Sequence, residues 1–241
     1  MIQEVLKFMK IDILTMHPEL CRSPLEHSIV HRARAQGIVD INVHNLHDYG
    51  LGRYQQVDDT PYGGGPGMVL RVDVVSAALE ALVREDSTVI LLEPAGTPFK
   101  QANAHSLSQH SHLIFICGHY EGLDARIRAH LVDETFSIGD YVLTGGELPA
   151  LVMIDSIVRL MDGVLGNADS IVEESFQDGL LEAPVYTKPR SHNGWEVPSV
   201  LVSGHHANIS AWRKRNAQQR TKKLRPDLWS QWQEKNGESE D

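Results

Sequence analysis

The sequence has two cysteines in 241 residues, Cys21 and Cys117. They stand far apart, and neither has a CxxC partner or a His/Cys cluster beside it. That argues against a disulfide framework and against a thiolate zinc site, and no metal-ligating residues are assigned. No stretch approaches the ~20 apolar residues of a membrane span. The opening MIQEVLKFMK has neither the apolar core nor the cleavage site of a secretory signal. The expected compartment is the cytoplasm, with no membrane partner. Two nucleotide fingerprints are missing as well. No GxGxxG lies between a strand and a helix, and the glycine-rich stretch at 61–68 lacks the Gly-Lys-Ser/Thr ending of a phosphate loop.

What is present is an ordinary globular balance, 41% hydrophobic and 22% charged, long enough for one α/β domain and a small partner. The net charge of −10 speaks against nucleic acid until its distribution is read. Between Tyr186 and Arg225 nine Lys/Arg face one acid, Glu196, a surplus of eight. The rest of the chain then carries −18. A local basic surface governs phosphate binding better than the total does, although basic residues on helices are usually just solvated.

The alternation in Lys10–Thr15 and Val39–Leu46 predicts two strands. Ser23-Pro24 predicts a helix N-terminus running to Gln36, where Gly37 stops it. Asp48 to Met68 reads as a long loop with six glycines. Asp73 is the expected cap of a helix over Val74–Arg84. Short apolar runs at Thr88–Leu92 and Leu113–Cys117, a third at Thr135–Ile138, a helix around 100–109 and an apolar helix over Glu147–Met161 complete the pattern. Strands alternating with helices at this spacing predict a mostly parallel α/β sheet covered on both faces, which binds ligands beyond the carboxyl ends of its strands. Each short run ends in a Gly- or Pro-bearing turn, at 93–96, 118–122 and 139–146. Three such turns at strand ends predict one shared pocket. Beyond a polar stretch from Val164 to about Glu174, Pro184, Pro189 and Pro198 punctuate an irregular region. Basic helices are expected over His206–Leu224 and Pro226–Lys235. The organisation predicted is 1–163 as an α/β domain, 164–175 as a linker and 176–241 as a helical, basic domain.

Pro61-Tyr62-Gly63-Gly64-Gly65-Pro66-Gly67-Met68 serves a ligand or a plain turn equally well on physics alone. Gly118-His119-Tyr120-Glu121-Gly122 places polar residues between glycines after a buried strand; His119 is given no catalytic role. Residues 137–150, SIGDYVLTGGELPA, join a strand, a glycine-rich loop and a helix opening with exposed amides, a wall suited to a nucleotide-like ligand.

PYGGGPGM at 61–68, GHYEG at 118–122, SIGDYVLTGGELPA at 137–150, PVYTKP at 184–189 and VLVSGHHANISAWR at 200–213 together resemble the bacterial tRNA (guanine-N1)-methyltransferase family, of the trefoil-knotted SPOUT class. The resemblance runs from Met9 to about Trp229, in order and spacing, with Met1–Phe8 ahead of the family's usual start.

The resemblance implies a deep trefoil knot whose loops clasp S-adenosylmethionine in a bent shape. Its cofactor residues would be Leu92, Pro94 and Gly96 on one loop, Gly118, Tyr120, Glu121 and Gly122 on the second, and Ile138, Gly139, Tyr141, Leu143, Gly145 and Gly146 on the third. It implies methylation of N1 of the guanosine 3′ of the anticodon (position 37) in tRNA. The family's arginine, which stabilises O6, matches Arg159. The family's linker aspartate, which takes the N1 proton, matches Glu174. This is a departure: the added methylene moves the carboxylate by ~1.5 Å if the backbone stays put. Glu173 and Asp178 are neighbouring carboxylates. The family is also a homodimer with its active site at the subunit interface, is associated with magnesium, and would grip tRNA here through Arg213, Lys214, Arg215, Arg220, Lys222 and Lys223. Glu174 keeps two alternatives open: an inactive RNA-binding relative, and a ribose 2′-O-methyltransferase of the same fold.

Overall fold

The structure is a computed structural model that describes residues 8–119, 122–166 and 174–237. The chain divides into two compact units, Met1–Gly166 and Asn167–Asp241.

The first unit is built on five strands: β1 (Met9–Thr15), β2 (Val39–Asn45), β5 (Ser87–Pro98), β6 (His112–Cys117) and β7 (Glu134–Ser137). They lie in the order β2-β1-β6-β5-β7, every neighbouring pair parallel. The period-2 side chains divide the interior in two. Ile11, Ile13, Ile90, Leu113, Phe115 and Cys117 face α1 (Pro18–Leu25), α2 (Ser28–Ala35), α4 (Gln101–Leu107) and α6 (Glu147–Val158). Leu14, Val89, Leu91, Ile114 and Ile116 face α3 (Val72–Leu82) and α5 (Ala125–His130). This covered parallel sheet is the α/β architecture the sequence predicts.

Four details differ from expectation. The single helix from Pro24 to Gln36 is two helices. Pro18 opens α1, and Pro24 lies in its last turn, where the missing N–H and the ring allow one more residue before the helix ends. Ser28, at φ 59°, then starts α2. Asp73 is not the cap of α3 but its second residue. Its carboxylate accepts from Val74 N–H at 3.1 Å and pairs with Arg71 at 2.7 Å. The turn expected at 93–96 lies within β5, as an insertion that shifts its register on β7 between Leu92 and Thr97. Pro94 has no N–H to give a ladder, so such an irregularity is where a strand tolerates it. At Gly96 a Cβ would stand 2.6 Å from Phe136 Cα, so the close approach of β5 to β7 requires glycine there. Finally, α5 has a single buried residue, Ile127, and left no periodic signal; Asp124 caps it by accepting from Arg126 N–H at 2.9 Å.

The long loop holds a 3-10 turn (Leu46–Tyr49) and the small pair β3 (Asp58–Asp59) and β4 (Val69–Leu70). The second unit has an unforeseen hairpin, β8 (Ser191–His192) with β9 (Trp195–Glu196), a 3-10 turn (Ser199–Val202), α7 (His206–Leu224) and α8 (Pro226–Asn236). Trp229 and Trp232 stack at 5.2 Å, and Thr221, fully buried, accepts from Leu181 N–H and donates to Ala217 O. The described helices of both units are too short or too polar to cross a membrane.

Candidate functional site

Because the sheet is parallel, β5, β6 and β7 deliver their following segments to one edge. There a cavity of about 370 Å3 opens, lined by Leu92, Glu93 and Pro94 from β5, Gly118, His119, Gly122 and Leu123 after β6, and Phe136 to Gly139 from β7 onward. Tyr141, Val142, Leu143, Gly145, Gly146 and Pro149 complete it. Its size suits a drug-sized or nucleotide-sized ligand, which typically needs ~300 Å3 or more.

The second and third loops are tied through their backbones. His119 and Gly145 form an antiparallel bridge, and Gly146 N–H donates to Gly118 O at 2.8 Å. Gly146 passes so close beneath the end of β6 that a Cβ there would lie 2.7 Å from Cys117 Cα. Any side chain at 146 would push the loops apart.

Gly146 is also the N-cap of α6, whose first residue, Glu147, turns inward to 2% exposure. The Thr15 hydroxyl, at the end of β1, donates to Glu147 Oε1 at 2.6 Å. Burial and then the Glu147 charge push the Cys21 thiol up to about 11, and the same two causes hold Cys117 well above its ordinary value. Both cysteines are therefore inert, buried thiols. On the other side, Arg128 of α5 pairs with Glu93 at 3.0 Å and reaches Ala95 O, pinning the β5 insertion. The His119 ring meets that of His17 edge-on at 4.6 Å.

Of the residues expected at a cofactor site, Leu92, Pro94, Gly118, Gly122, Ile138, Gly139, Tyr141, Leu143, Gly145 and Gly146 stand round this one cavity. Gly96 lies against Phe136 instead. Tyr120 and Glu121 fall outside the described residues, as does Glu173. Glu93, His119, Leu123, Phe136, Ser137, Val142 and Pro149 also line the cavity without having been assigned to it. All but Leu123, one residue past the turn at 118–122, lie inside stretches already marked in the sequence.

Arg159 is half-buried at the C-terminal cap of α6. Across those 12 residues the helix is about 18 Å long, so Arg159 stands that far from the cavity end. Glu174 belongs to the second unit, half-buried at the head of a turn in which Phe176 N–H donates to Leu180 O at 2.7 Å. Asp178 is exposed, and its Oδ1 accepts from Leu180 N–H at 3.2 Å, which occupies it within that turn. The loop 61–68 is exposed, with Gly63, Gly64, Gly65 and Gly67 all at positive φ, and does not border the cavity.

A parallel α/β unit whose segments after β6 and β7 close backbone to backbone beside a glycine-rich cavity is a ligand-binding scaffold of the open-sheet class, built without either common nucleotide fingerprint. The family follows from comparison: residues 9–231 match the family described as tRNA (Guanine-1)-methyltransferase TrmD, and the chain belongs to that family. Proteins named tRNA (guanine-N(1)-)-methyltransferase are 53% identical over 225 residues in Staphylococcus epidermidis (93% of this chain, 92% of that one) and 54% over 221 residues in Brevibacillus brevis (91% of each). One in Staphylococcus aureus is 55% identical over 221 residues (91% of this chain, 90% of that one).

Proposed function

We propose that this chain transfers the methyl group of S-adenosylmethionine to N1 of the guanosine 3′ of the anticodon in tRNA, as a cytoplasmic, knotted homodimer. The observation that carries the reading is the convergence of the β5 insertion and the segments after β6 and β7 on one cavity in a chain of this family. The cavity fits the donor. Ile138 and Leu143, with Leu92 and Pro94, offer apolar surfaces to the faces of an adenine. The glycine-rich segments let backbone amides and carbonyls approach its edge and the ribose. The donor supplies an activated methyl group, so the protein's task is positioning and proton removal.

Guanine N1 carries a proton and is a poor nucleophile until it leaves. Glu174 takes that proton, and the Arg159 guanidinium stabilises the charge that develops on O6. Asp178 is the alternative base, its Oδ1 accepting from Leu180 N–H at 3.2 Å. The separation of Arg159 from the cavity along α6 supports a site completed by a second copy. So does apolar surface left open on the first unit, with Leu148 and Val152 one turn apart on α6, Val142 just before that helix, and Leu20 on α1, which packs against it. The knot is supported by the family. Magnesium stays in the proposal as an assay requirement, with no residues assigned to it. Arg213, Lys214, Arg215, Arg220, Lys222 and Lys223 of α7 would meet tRNA phosphates.

The test is methyl transfer from S-adenosylmethionine to tRNA transcripts carrying guanosine or adenosine 3′ of the anticodon, with the product nucleoside identified. N1-methylguanosine from the first and nothing from the second is expected. Methyl groups on ribose would identify a 2′-O-methyltransferase. Cofactor and tRNA binding without turnover would identify an RNA-binding relative in which Glu174 has cost the activity.

A further inference from the structure

The hairpin of the second unit carries an aromatic side chain used by neither the cavity nor the basic helix. β8 and β9 are joined by Asn193-Gly194, at φ 52° and 82°, the two-residue turn whose twist matches paired strands. Its register pairs His192 with Trp195 and Ser191 with Glu196, and Val197 N–H donates to Arg190 O at 2.9 Å. Opposed residues share a face and successive ones alternate. One face therefore carries Arg190, His192 and Trp195, and the other Ser191 and Glu196. Glu196 is the single acid between Tyr186 and Arg225, and the pairing turns it away from Trp195. The Trp195 ring is 73% exposed, with the His192 ring beside it at 5.9 Å and a tilt of 59°.

An indole held in water on a short, well-formed hairpin, with a guanidinium and an imidazole on the same face and Lys188 two residues before Arg190, suits a flat aromatic ligand that carries negative charge. An unpaired nucleobase with its phosphate has that chemistry. Self-association through this face about a two-fold axis would set Arg190 and Lys188 against their own copies, which costs rather than stabilises.

We propose that the hairpin is a base-stacking platform, with Trp195 stacking on an unpaired base of tRNA and Arg190 meeting the adjoining phosphate. This rests on the tRNA reading above and adds to it a stacking contact beside an ionic one. Stacking accepts any base, so the platform contributes affinity and placement rather than sequence choice.

The experiment measures tRNA dissociation constants across a salt series for the wild type, W195A, W195F and R190A, with sedimentation of each protein. W195A should weaken binding by roughly 10-fold, and W195F should stay within about 3-fold of wild type because a ring remains. Neither should change the slope of log K against log salt, since stacking releases no counterions. R190A should flatten that slope by about 0.7–0.9, the value of one phosphate contact. Quenching of intrinsic tryptophan fluorescence by tRNA should shrink in W195F. Wild-type affinity in W195A, with methyl transfer intact, overturns the platform and leaves the proposed function standing. Loss of the dimer in W195A would make this face a subunit contact and also overturn it. A wild-type protein that neither binds nor methylates tRNA removes both readings together.

Discussion

The two units hold their chemistry in opposite ways. In the first, side chains on both faces of the sheet are buried, and two of the segments that wall the cavity are held together through their backbones. In the second, only Leu180 and Thr221 among the described residues are fully buried, while the basic and aromatic side chains stand in solvent. A site made of backbone depends on spacing and is intolerant of added atoms. A display of exposed side chains tolerates most single changes and weakens in proportion to the charge removed. Each of the following tests strains one side of that contrast.

The largest effect should come from a single side chain of the more open unit. Glu174→Gln, assayed in single turnover with cofactor and tRNA saturating, is expected to lose ~10²–10⁴-fold, the usual cost of removing a general base. Glu174→Asp should remain active. Asp178→Asn should stay near the wild-type rate, because that carboxylate serves its own turn, and Glu173→Gln should be mild. Arg159→Ala should lose ~10²–10³-fold while binding S-adenosylmethionine normally, since its partner is the guanine. A wild-type rate for Glu174→Gln beside a dead Asp178→Asn moves the base to Asp178.

The next effect concerns stability and lies in the first unit, away from the cavity. Asp12, on β1, is fully buried, and its carboxylate accepts from His44 Nε2 and His112 Nε2 at 2.8 Å and from Lys10 Nζ at 2.7 Å. Burial alone would raise its pKa, but the hydrogen bonds from His44, Lys10 and His112 prevail and hold it well below the usual carboxylate range. Asp12→Ala leaves those donors facing a void and should destabilise by about 3–5 kcal/mol in urea unfolding. The pH dependence follows from the depressed pKa. The stabilisation is complete above the unfolded carboxyl's value near ~3.9 and fades as pH falls from there toward the lower folded value. The gap between wild type and variant should therefore narrow as pH falls below ~4. A gap that widens below pH ~4 would contradict this assignment.

Much of this contrast is legible in the sequence, and the reasons differ by region. β1, β2 and β6 announce themselves through alternation or continuous apolar runs, and α7 through its basic composition. The shared pocket follows from three turns after three buried runs, which is why Gly118, Ile138 and Gly146 can be grouped before any coordinates. Short elements set by tertiary contacts are not legible. α5 buries only Ile127, and the β5 insertion depends on Phe136 and Arg128. The break between α1 and α2 hid because Ser23-Pro24 is as good a helix start as the true one at Pro18. Asp12 looked like the polar half of an alternating strand, yet it is interior because two histidines from other strands reach it. The chemistry of the ligand was not legible from spacing at all and came through family resemblance.

Adding one methyl group tests the backbone side directly. Gly146→Ala sets a Cβ against Cys117 Cα at 2.7 Å and Gly118 N at 2.9 Å. Both are backbone atoms, so relief requires the loops to part. Such overpacking costs about 1–3 kcal/mol, and calorimetry should show S-adenosylmethionine affinity falling by roughly 5- to 150-fold. Normal affinity would mean that the third loop yields without consequence, and the backbone-built view of the cavity would be lost.

The smallest effects belong to the basic helix. Arg213 and Arg220 are seven residues apart on α7, as are Arg215 and Lys222, so each pair shares a side of the helix. The two pairs are offset by two residues, or about 200° around the axis. One RNA backbone therefore cannot meet all six proposed cations equally. Arg220 also donates to Glu182 O at 3.2 Å, and Lys222 lies 5.9 Å over the Trp229 ring, so each already has a role within the unit. Neutralising one pair should flatten the dependence of log K on log salt by up to about 1.8, the value of two phosphate contacts, and neutralising the other should change it far less. Each single neutralisation should weaken binding only a few-fold, the scale of one exposed ionic contact. Equal, full losses from both pairs would require RNA on two sides of the helix. No change from either would place the tRNA surface elsewhere on the protein, despite the surplus of positive charge between Tyr186 and Arg225.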